Sequence, residues 1–224
     1  MVLKPRVIAV CLVVVAPLVL VGVTPVNSSS SSCQPCFAGS ETLFQTKRLV
    51  MSMRRPARKL YKSYLTHMGL MQDADQLCSM TPVPWFPHSN IARKPQNLML
   101  QELYRTALCL KDSLLLIREQ QSRLTGPHEA LHSQLEKAQQ QVSGLVTNTQ
   151  CTLCLQGLTL PAVTLPARPT DPSAFQQKID GCRVLRNYSK LIGGLAKAFR
   201  KHLAKGKGAE RQKTRNRTKP AAAF

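Results

Sequence analysis

Residues 96–122, QNLMLQELYRTALCLKDSLLLIREQQS, decide the fold class, because apolar side chains recur there every three or four residues. This spacing places one apolar stripe along an α-helix. Three other segments have the same spacing and no alternating strand pattern competes, so we predict an all-α chain with four helices. The other three are predicted at about 42–68, from Gly126-Pro127 to about Leu153, and from Asp171-Pro172-Ser173 to about Phe199.

The lengths of the links between the helices predict the topology. Residues 123–126 allow only a tight turn, so the second and third helices must be antiparallel. A helix of this kind is about 37 Å long, and an extended chain needs at least about 11 residues to span it. The links Gly69–Pro95 and Leu155–Thr170 both exceed that length. Two long crossovers and one short turn predict an up-up-down-down four-helix bundle.

The first 24 residues have the layout of a secretory signal peptide. Lys4 and Arg6 precede an apolar run over 7–23, and small residues place cleavage at roughly 22–28. An uncleaved signal anchor is the alternative, because the run is close to the lower limit for spanning a bilayer. We therefore expect 1–24 to be removed and the mature chain to be secreted. Export also makes three sequons candidate N-glycosylation sites, at Asn27, Asn187 and Asn216.

Seven cysteines remain after the signal peptide is removed, so at least one must be unpaired. Cys33-Gln-Pro-Cys36 and Cys151-Thr-Leu-Cys154 have the spacing of two halves of a zinc site. In an oxidising compartment the same pairs indicate disulfide partners. The spacing alone leaves the pairing open.

Lys and Arg outnumber Asp and Glu by 31 to 11, and the excess is uneven. Nine cations lie between Arg200 and Lys219 beside a single acid, so we expect 204–224 to be a disordered basic tail. A second cluster lies within the first predicted helix. For a secreted protein the natural polyanion is heparan sulfate, not DNA, and a solvated charged face is the alternative. The second cluster comprises Arg54, Arg55, Arg58, Lys59 and Lys62.

One motif points to catalysis. The segment from His128 to His132 matches the H-E-x-x-H signature, in which two histidines bind zinc and the glutamate acts as base. A third ligand at the expected spacing is missing, and the motif occupies a first helical turn, where surface His and Glu need no special cause. A zinc metalloprotease using His128 and His132 is therefore the weaker hypothesis.

Two positions are typical of binding surfaces. Gly144 lies opposite the apolar stripe of the third helix, where an exposed glycine costs about 1 kcal/mol relative to alanine. The close approach of a partner would explain it, and sequence drift is the alternative. Phe175 lies about 120° from the stripe of the fourth helix, with Lys178 one turn further along. This pair resembles a binding hot spot, and a Phe packed under a neighbouring loop is the alternative.

A series of motifs extends along the whole chain. They are Thr24-Pro-Val-Asn27, Glu102-Leu-Tyr-Arg105, Leu131-His-Ser133, Cys151-Thr-Leu-Cys154, Phe175-Gln-Gln-Lys178, Gly181-Cys182, Tyr188, Leu195-Ala196 and Ala198-Phe199. Over about 24–199 they resemble the leukaemia inhibitory factor/oncostatin M branch of the interleukin-6 cytokine family. The resemblance implies a disulfide-linked, long-chain cytokine domain over 25–203, a monomer that joins receptors and is not an enzyme. It implies no cofactor, metal or nucleic-acid partner.

The resemblance also implies two receptor-binding sites. Phe175 and Lys178 fall on the family's Phe-x-x-Lys motif, which engages the leukaemia inhibitory factor receptor chain. The exposed faces of the first and third helices would bind the shared signal-transducing receptor subunit, and the assembly would activate Janus kinase/STAT signalling. The positions implied for the shared subunit are Gln45, Ser52, Gly144, Thr147 and Asn148. A secreted heparin-binding growth factor that acts through its basic surface is the main alternative function.

The family's disulfide pairing, transferred by position, leaves one cysteine over. That cysteine is Cys109, which lies on the side of the second helix away from its apolar stripe. We therefore expect a free, partly exposed thiol that is open to intermolecular oxidation. The implied pairs are Cys33–Cys154, Cys36–Cys151 and Cys78–Cys182.

Overall fold

Four long helices form the fold of this chain in a computed structural model. The structure describes residues 33, 36, 41–124, 129–168, 170 and 172–217, with the backbone alone over 201–217. Within these ranges there is no strand, and the prediction of an all-α chain is confirmed. The helices are α1 (Thr42–Met68), the short α2 (Ala74–Leu77), α3 (Gln96–Leu124), α4 (Glu129–Leu155) and α5 (Ala174–Arg217), with a 3-10 turn at Ile91–Arg93.

Each long helix packs against two antiparallel neighbours. α1 and α3 each pack against both α4 and α5. The end of α1 meets the start of α5, because the Tyr64 hydroxyl donates to the Lys178 carbonyl. The segment before α1 is bonded to the end of α4 through Cys33–Cys154. α1 is therefore antiparallel to both of its neighbours.

α3 is also antiparallel to both of its neighbours, α4 and α5, and this fixes the topology of the bundle. Only four residues separate the end of α3 from the start of α4. They are too few to span the length of a helix, so α3 and α4 are antiparallel. Met99, near the start of α3, lines a common cavity with Phe199, near the end of the described core of α5. Since α1 and α3 are both antiparallel to the same two helices, they run in the same direction. The bundle is up-up-down-down, as the link lengths predict.

The first long link is fastened to α5. A disulfide joins Cys78 to Cys182, with the two Cα atoms 5.4 Å apart. Arg186 lies 3.4 Å from the carboxylate of Asp75, three residues before that disulfide. These contacts hold the link against the outer side of the bundle, where it covers part of α5.

The second long link runs along α3. Near its start, Gln101 donates a hydrogen bond to the carbonyl of Thr159 at 3.1 Å. Near its end, Arg168 lies 3.6 Å from Asp112 and 3.4 Å from Glu119. The half-exposed ion pairs stabilise the protein little by themselves. Together these contacts place the link lengthwise over one side of α3.

Three disulfides occur in the structure, and they are the pairs that the resemblance implies. Cys33–Cys154 and Cys36–Cys151 have Cα atoms 5.8 and 5.2 Å apart, and Cys78–Cys182 is the third. Each closes a loop of more than 100 residues, and bridges over such loops stabilise a protein by about 2–5 kcal/mol.

The helical part of the chain extends further than the sequence analysis predicts. We expected disorder from residue 204, whereas the backbone of α5 is helical to Arg217. Ala, Lys, Arg and Glu are favourable helix formers, and a chain that continues an existing helix needs no new nucleus. The disordered tail over 204–224 stays a prediction, and 218–224 lie outside the described residues.

None of the helices in the described part of the chain is long and apolar enough to cross a membrane. The predicted signal peptide, residues 1–24, lies outside that part.

The crossing of α1 and α5 depends on one glycine. The side chain of Tyr64 is fully buried, and its hydroxyl reaches the carbonyl of Lys178 at 3.1 Å. It does so by passing over Gly181, where an added Cβ would lie 2.8 Å from Cζ of Tyr64 and overlap the hydroxyl. Burial raises the pKa of Tyr64 above its usual value, so the hydroxyl stays a neutral donor. Only glycine leaves room for this contact.

We expect Gly181→Ala to lower the free energy of unfolding by about 1–3 kcal/mol, because the new methyl group overpacks the crossing. Chemical denaturation monitored by circular dichroism measures the change. Gly193→Ala is the matched control in the same helix, since a Cβ there meets open space. The control should raise the stability by up to about 1 kcal/mol through helix propensity. Equal effects at both positions would contradict the steric role of Gly181.

Candidate functional site

Phe175 lies in the first turn of α5 and is exposed. Its relative exposure is 59%, so it does not pack under a neighbouring loop. The turn that carries it is capped, because the backbone N–H of Gln176 donates to the Ser173 hydroxyl at 3.1 Å. The side-chain amide of Gln177 donates to the carbonyl of Pro172 at 2.8 Å. The helix start is thus closed by hydrogen bonds while the aromatic ring faces outward.

The next turn of α5 anchors this end to the rest of the bundle. The carbonyl of Lys178 accepts the Tyr64 hydroxyl, and Cys182 is bonded to Cys78 of the first link. Phe175 therefore projects from a rigid base. An exposed aromatic side chain on such a base loses little conformational entropy when a partner covers it.

Lys178 provides positive charge beside the aromatic ring. Its side chain is half-buried, and the described residues contain no carboxylate paired with its ammonium group. The nearby Asp180 is already engaged, because it accepts hydrogen bonds from Gln176 at 2.8 Å and from Arg183 at 3.1 Å. An aromatic ring and a free cation are thus available on the same capped helix end. The two residues form the Phe175–Lys178 surface.

Gly144 lies where α4 approaches α1. It is half-buried, and an added Cβ would stand 3.5 Å from Cδ2 of Leu49. From the periodicity of this helix we expected Gly144 to lie opposite the apolar stripe and to be exposed. The structure corrects this, because α1 covers one side of the glycine. The distance is an ordinary van der Waals contact, so the fold itself does not require glycine here.

The contact between Leu49 and Gly144 brings the other implied residues together. Because α1 and α4 are antiparallel, residues before Leu49 lie level with residues after Gly144. Gln45, Ser52 and Thr147 are exposed and Asn148 is half-buried. We call this surface the α1–α4 face, and its residues are Gln45, Leu49, Ser52, Gly144, Thr147 and Asn148.

The α1–α4 face contains no charged residue, and all of its residues except Leu49 and Gly144 have polar side chains. The Ser52 hydroxyl donates to the Leu49 carbonyl at 2.7 Å, and the Thr147 hydroxyl donates to the Ser143 carbonyl at 3.3 Å. Both hydroxyls are already hydrogen-bonded within their own helices, so a partner does not have to supply hydrogen-bond acceptors for them. Such a surface suits recognition by shape at the groove between two helices.

The two candidate surfaces are far apart. Lys178 is level with Tyr64 on α1, so Phe175 is level with the end of that helix, near Met68. Leu49 marks the level of the α1–α4 face. Nineteen residues separate these levels on α1, which corresponds to about 28 Å at 1.5 Å per residue. The structure does not combine the predicted residues into one site but forms two.

Phe44 is an exposed aromatic residue on α1 that the sequence pattern did not reveal. Phe44 has a relative exposure of 46%, and the guanidinium carbon of Arg48 lies 5.7 Å from the centre of its ring. The separation suits a cation–π contact. The sequence indicates the exposure of this residue only weakly, because Phe44 directly follows Leu43 and therefore resembles a member of the apolar stripe.

Cys109 is unpaired but buried, contrary to the prediction of a partly exposed thiol. Its relative exposure is 1%, and its sulfur lies 3.9 Å from the carbonyl oxygen of Thr164. The second link covers this side of α3, which the periodicity of the helix alone could not indicate. Burial, and then the nearby carboxylate of Asp112, raise the pKa of the thiol. Intermolecular oxidation through Cys109 is not expected from the folded protein.

The remaining candidate residues are only partly described. Asn187 is half-buried within α5, and its amide nitrogen donates to the Arg183 carbonyl at 3.0 Å. Asn27 and His128 lie outside the described residues, and only the backbone of Asn216 is described. His132 is half-buried, and the described part of the chain has no cluster of three metal-binding side chains.

A comparison with known families gives one match. The model of the LIF / OSM family matches residues 41–199, which is more than half of the chain. The match begins at the residue before α1 and ends at Phe199, the last buried aromatic residue of α5. It therefore covers α1, α3, α4, both links and α5 as far as Phe199, and it includes both candidate surfaces.

We expect Cys109 to react slowly with iodoacetamide in the native protein. Its raised pKa leaves less thiolate at a given pH, and the second link blocks access. At about pH 8, labelling should be at least about tenfold slower than in denaturant without reductant. Mass spectrometry after timed quenching measures both rates.

Cys109→Ser is the control for this measurement, since it should remove labelling under both conditions. Rapid native labelling of Cys109 would show that the second link does not stay on α3.

Proposed function

The chain belongs to the LIF / OSM family, and we propose that it is a secreted cytokine that signals by holding two different receptor chains together. In this proposal the Phe175–Lys178 surface binds the leukaemia inhibitory factor receptor chain. The α1–α4 face binds the shared signal-transducing subunit of the interleukin-6 family. Joining the two chains activates Janus kinase/STAT signalling inside the cell. The protein acts as a monomer and catalyses no reaction.

The observation that carries the proposal is the exposure of Phe175 on a rigid helix end. Aromatic residues in the centre of an interface contribute most of the binding energy when they fill a pocket of the partner. Phe175 loses little entropy on binding because Ser173 caps its turn and Tyr64 holds the following turn. Lys178 adds charge complementarity, which favours rapid and specific association. These properties support a hot spot at this end of α5.

The distance between the two surfaces supports simultaneous binding. They lie about 28 Å apart along the bundle and belong to different helix pairs. Two receptor chains can therefore contact the protein without competing for the same residues. The uncharged α1–α4 face and the cationic Phe175–Lys178 surface also differ in chemistry, which favours two different partners over two copies of one.

Within the family, we infer that the chain acts as leukaemia inhibitory factor does, as distinct from oncostatin M. This inference rests on the residues of α5 that carry the resemblance, from Phe175 to Phe199. Residues 1–24 are proposed to be the signal peptide and 25–203 the cytokine domain. The continuation of α5 to Arg217 extends the helix beyond the end of that domain.

Phe175→Ala combined with Lys178→Ala tests the first surface. We expect the affinity for the leukaemia inhibitory factor receptor chain to fall about 30- to 1000-fold, equivalent to about 2–4 kcal/mol. Binding to the shared subunit should stay unchanged, so the variant should act as an antagonist. Surface plasmon resonance with each receptor ectodomain and a STAT reporter assay measure these effects.

Phe44→Ala combined with Arg48→Ala is the matched control, because it also removes an exposed Phe and its neighbouring cation. The control should bind the leukaemia inhibitory factor receptor chain normally. Neither variant should unfold, since both rings are exposed. Full signalling by the Phe175/Lys178 variant would refute the assignment of that surface.

Gly144→Gln tests the second surface. The longer side chain extends past Leu49 into the space that the shared subunit would occupy, so we expect its affinity to fall at least about tenfold. Binding to the leukaemia inhibitory factor receptor chain should not change. Gly193→Gln is the control, because it places the same side chain at another half-buried helix glycine with open space around it. Normal binding of the shared subunit to the Gly144 variant would place that interface elsewhere.

A further inference from the structure

α1 carries an unusual distribution of charge. Between Thr42 and Met68 there are seven Lys and Arg residues and no Asp or Glu. Several of them stand four residues apart, as in Arg54/Arg58 and Arg55/Lys59, where like charges destabilise a helix. The arrangement therefore does not serve the stability of α1. The seven cations are Lys47, Arg48, Arg54, Arg55, Arg58, Lys59 and Lys62.

Five of these cations are exposed, and none is neutralised within the described part of the chain. The ion pairs there use Lys94, Arg168, Arg183 and Arg186, all outside α1. The α1 basic stripe consists of the exposed residues Arg48, Arg55, Arg58, Lys59 and Lys62.

The α1 basic stripe is a line and not a pocket. From Arg48 to Lys62 it extends for about 21 Å along α1, on roughly one side of the helix. The α1–α4 face lies about a quarter-turn round α1, toward Gly144. The stripe contains no residue of either proposed receptor surface, but it borders the α1–α4 face, because Arg48 and Arg55 lie within one turn of Ser52. A row of cations on a rigid rod matches a linear ligand with repeated anionic groups better than a single compact anion.

We propose that the α1 basic stripe binds a sulfated linear polysaccharide of the heparan sulfate class. The choice of an extracellular polyanion rests on the proposed function, in which the protein is secreted. Sulfate groups along the polysaccharide pair with successive Lys and Arg side chains, and their counterions are released. No residue of the stripe belongs to the Phe175–Lys178 surface on α5, so the protein can bind the polysaccharide and the partner of that surface together.

The test compares two triple variants of the full chain with heparin as the probe. Arg55→Gln, Lys59→Gln and Lys62→Gln remove three charges of the stripe, and Gln keeps the helix propensity. The matched control removes three exposed charges elsewhere, with Lys111→Gln, Arg123→Gln and Lys137→Gln. Both variants have the same net charge, so the comparison isolates the position of the charges.

We expect the stripe variant to bind heparin at least about tenfold more weakly at about 0.15 M salt, and the control to change less than about threefold. The slope of log Kd against log salt concentration should fall by about two to three for the stripe variant. Each contact that is lost means that fewer counterions are released when heparin binds. Affinity measured at a series of salt concentrations gives both values.

Three outcomes would overturn the proposal. An equal loss of heparin affinity in the two variants would show that this affinity depends on net charge or on the basic tail, and not on the stripe. Unchanged heparin binding, with loss of binding to vesicles of phosphatidylserine and phosphatidylcholine, would assign the stripe to a membrane. Loss of receptor binding with heparin binding retained would place the stripe in a receptor interface. Receptor binding by the unmodified chain is measured in parallel, so that failure of the proposed function is recognised separately.

Discussion

The contact of Tyr64 with the start of α5 fixes the geometry on which both candidate surfaces depend. Its buried hydroxyl bonds the Lys178 carbonyl across Gly181, and the disulfide at Cys182 follows within one turn. This contact sets the axial register between α1 and α5. The register determines how far Phe175 projects beyond α1 and its distance from the α1–α4 face. A shift of one turn would move the two surfaces about 5 Å relative to each other.

The helices and their topology could be predicted because they depend on local periodicity and on link lengths. The stripe of α3 and the tight turn after it contain that information within a few dozen residues. Cys109 and Gly144 show where such reasoning ends. The environment of Cys109 depends on a link 55 residues away, and that of Gly144 depends on the packing of α1. Periodicity describes one helix and cannot show what covers its other sides.

The same limit applies to the Phe175–Lys178 surface. Its exposure could be predicted, because Phe175 lies off the apolar stripe of its own helix. The rigidity of its base could not, since Tyr64 and Lys178 are 114 residues apart. The tail beyond Phe199 shows a different limit. Its composition of charged residues indicates disorder, yet the same residues have high helix propensity when they continue an existing helix.

The antiparallel arrangement of all neighbouring helices has a further electrostatic consequence. Each helix carries a macrodipole, positive at its N-terminus and negative at its C-terminus. With two helices in each direction, the long-range parts of these dipoles cancel across the bundle. The electric field that a distant partner meets is therefore set mainly by charged side chains. Since α1 carries seven Lys and Arg residues and no acid, its side of the molecule attracts an anionic partner before that partner touches either candidate surface.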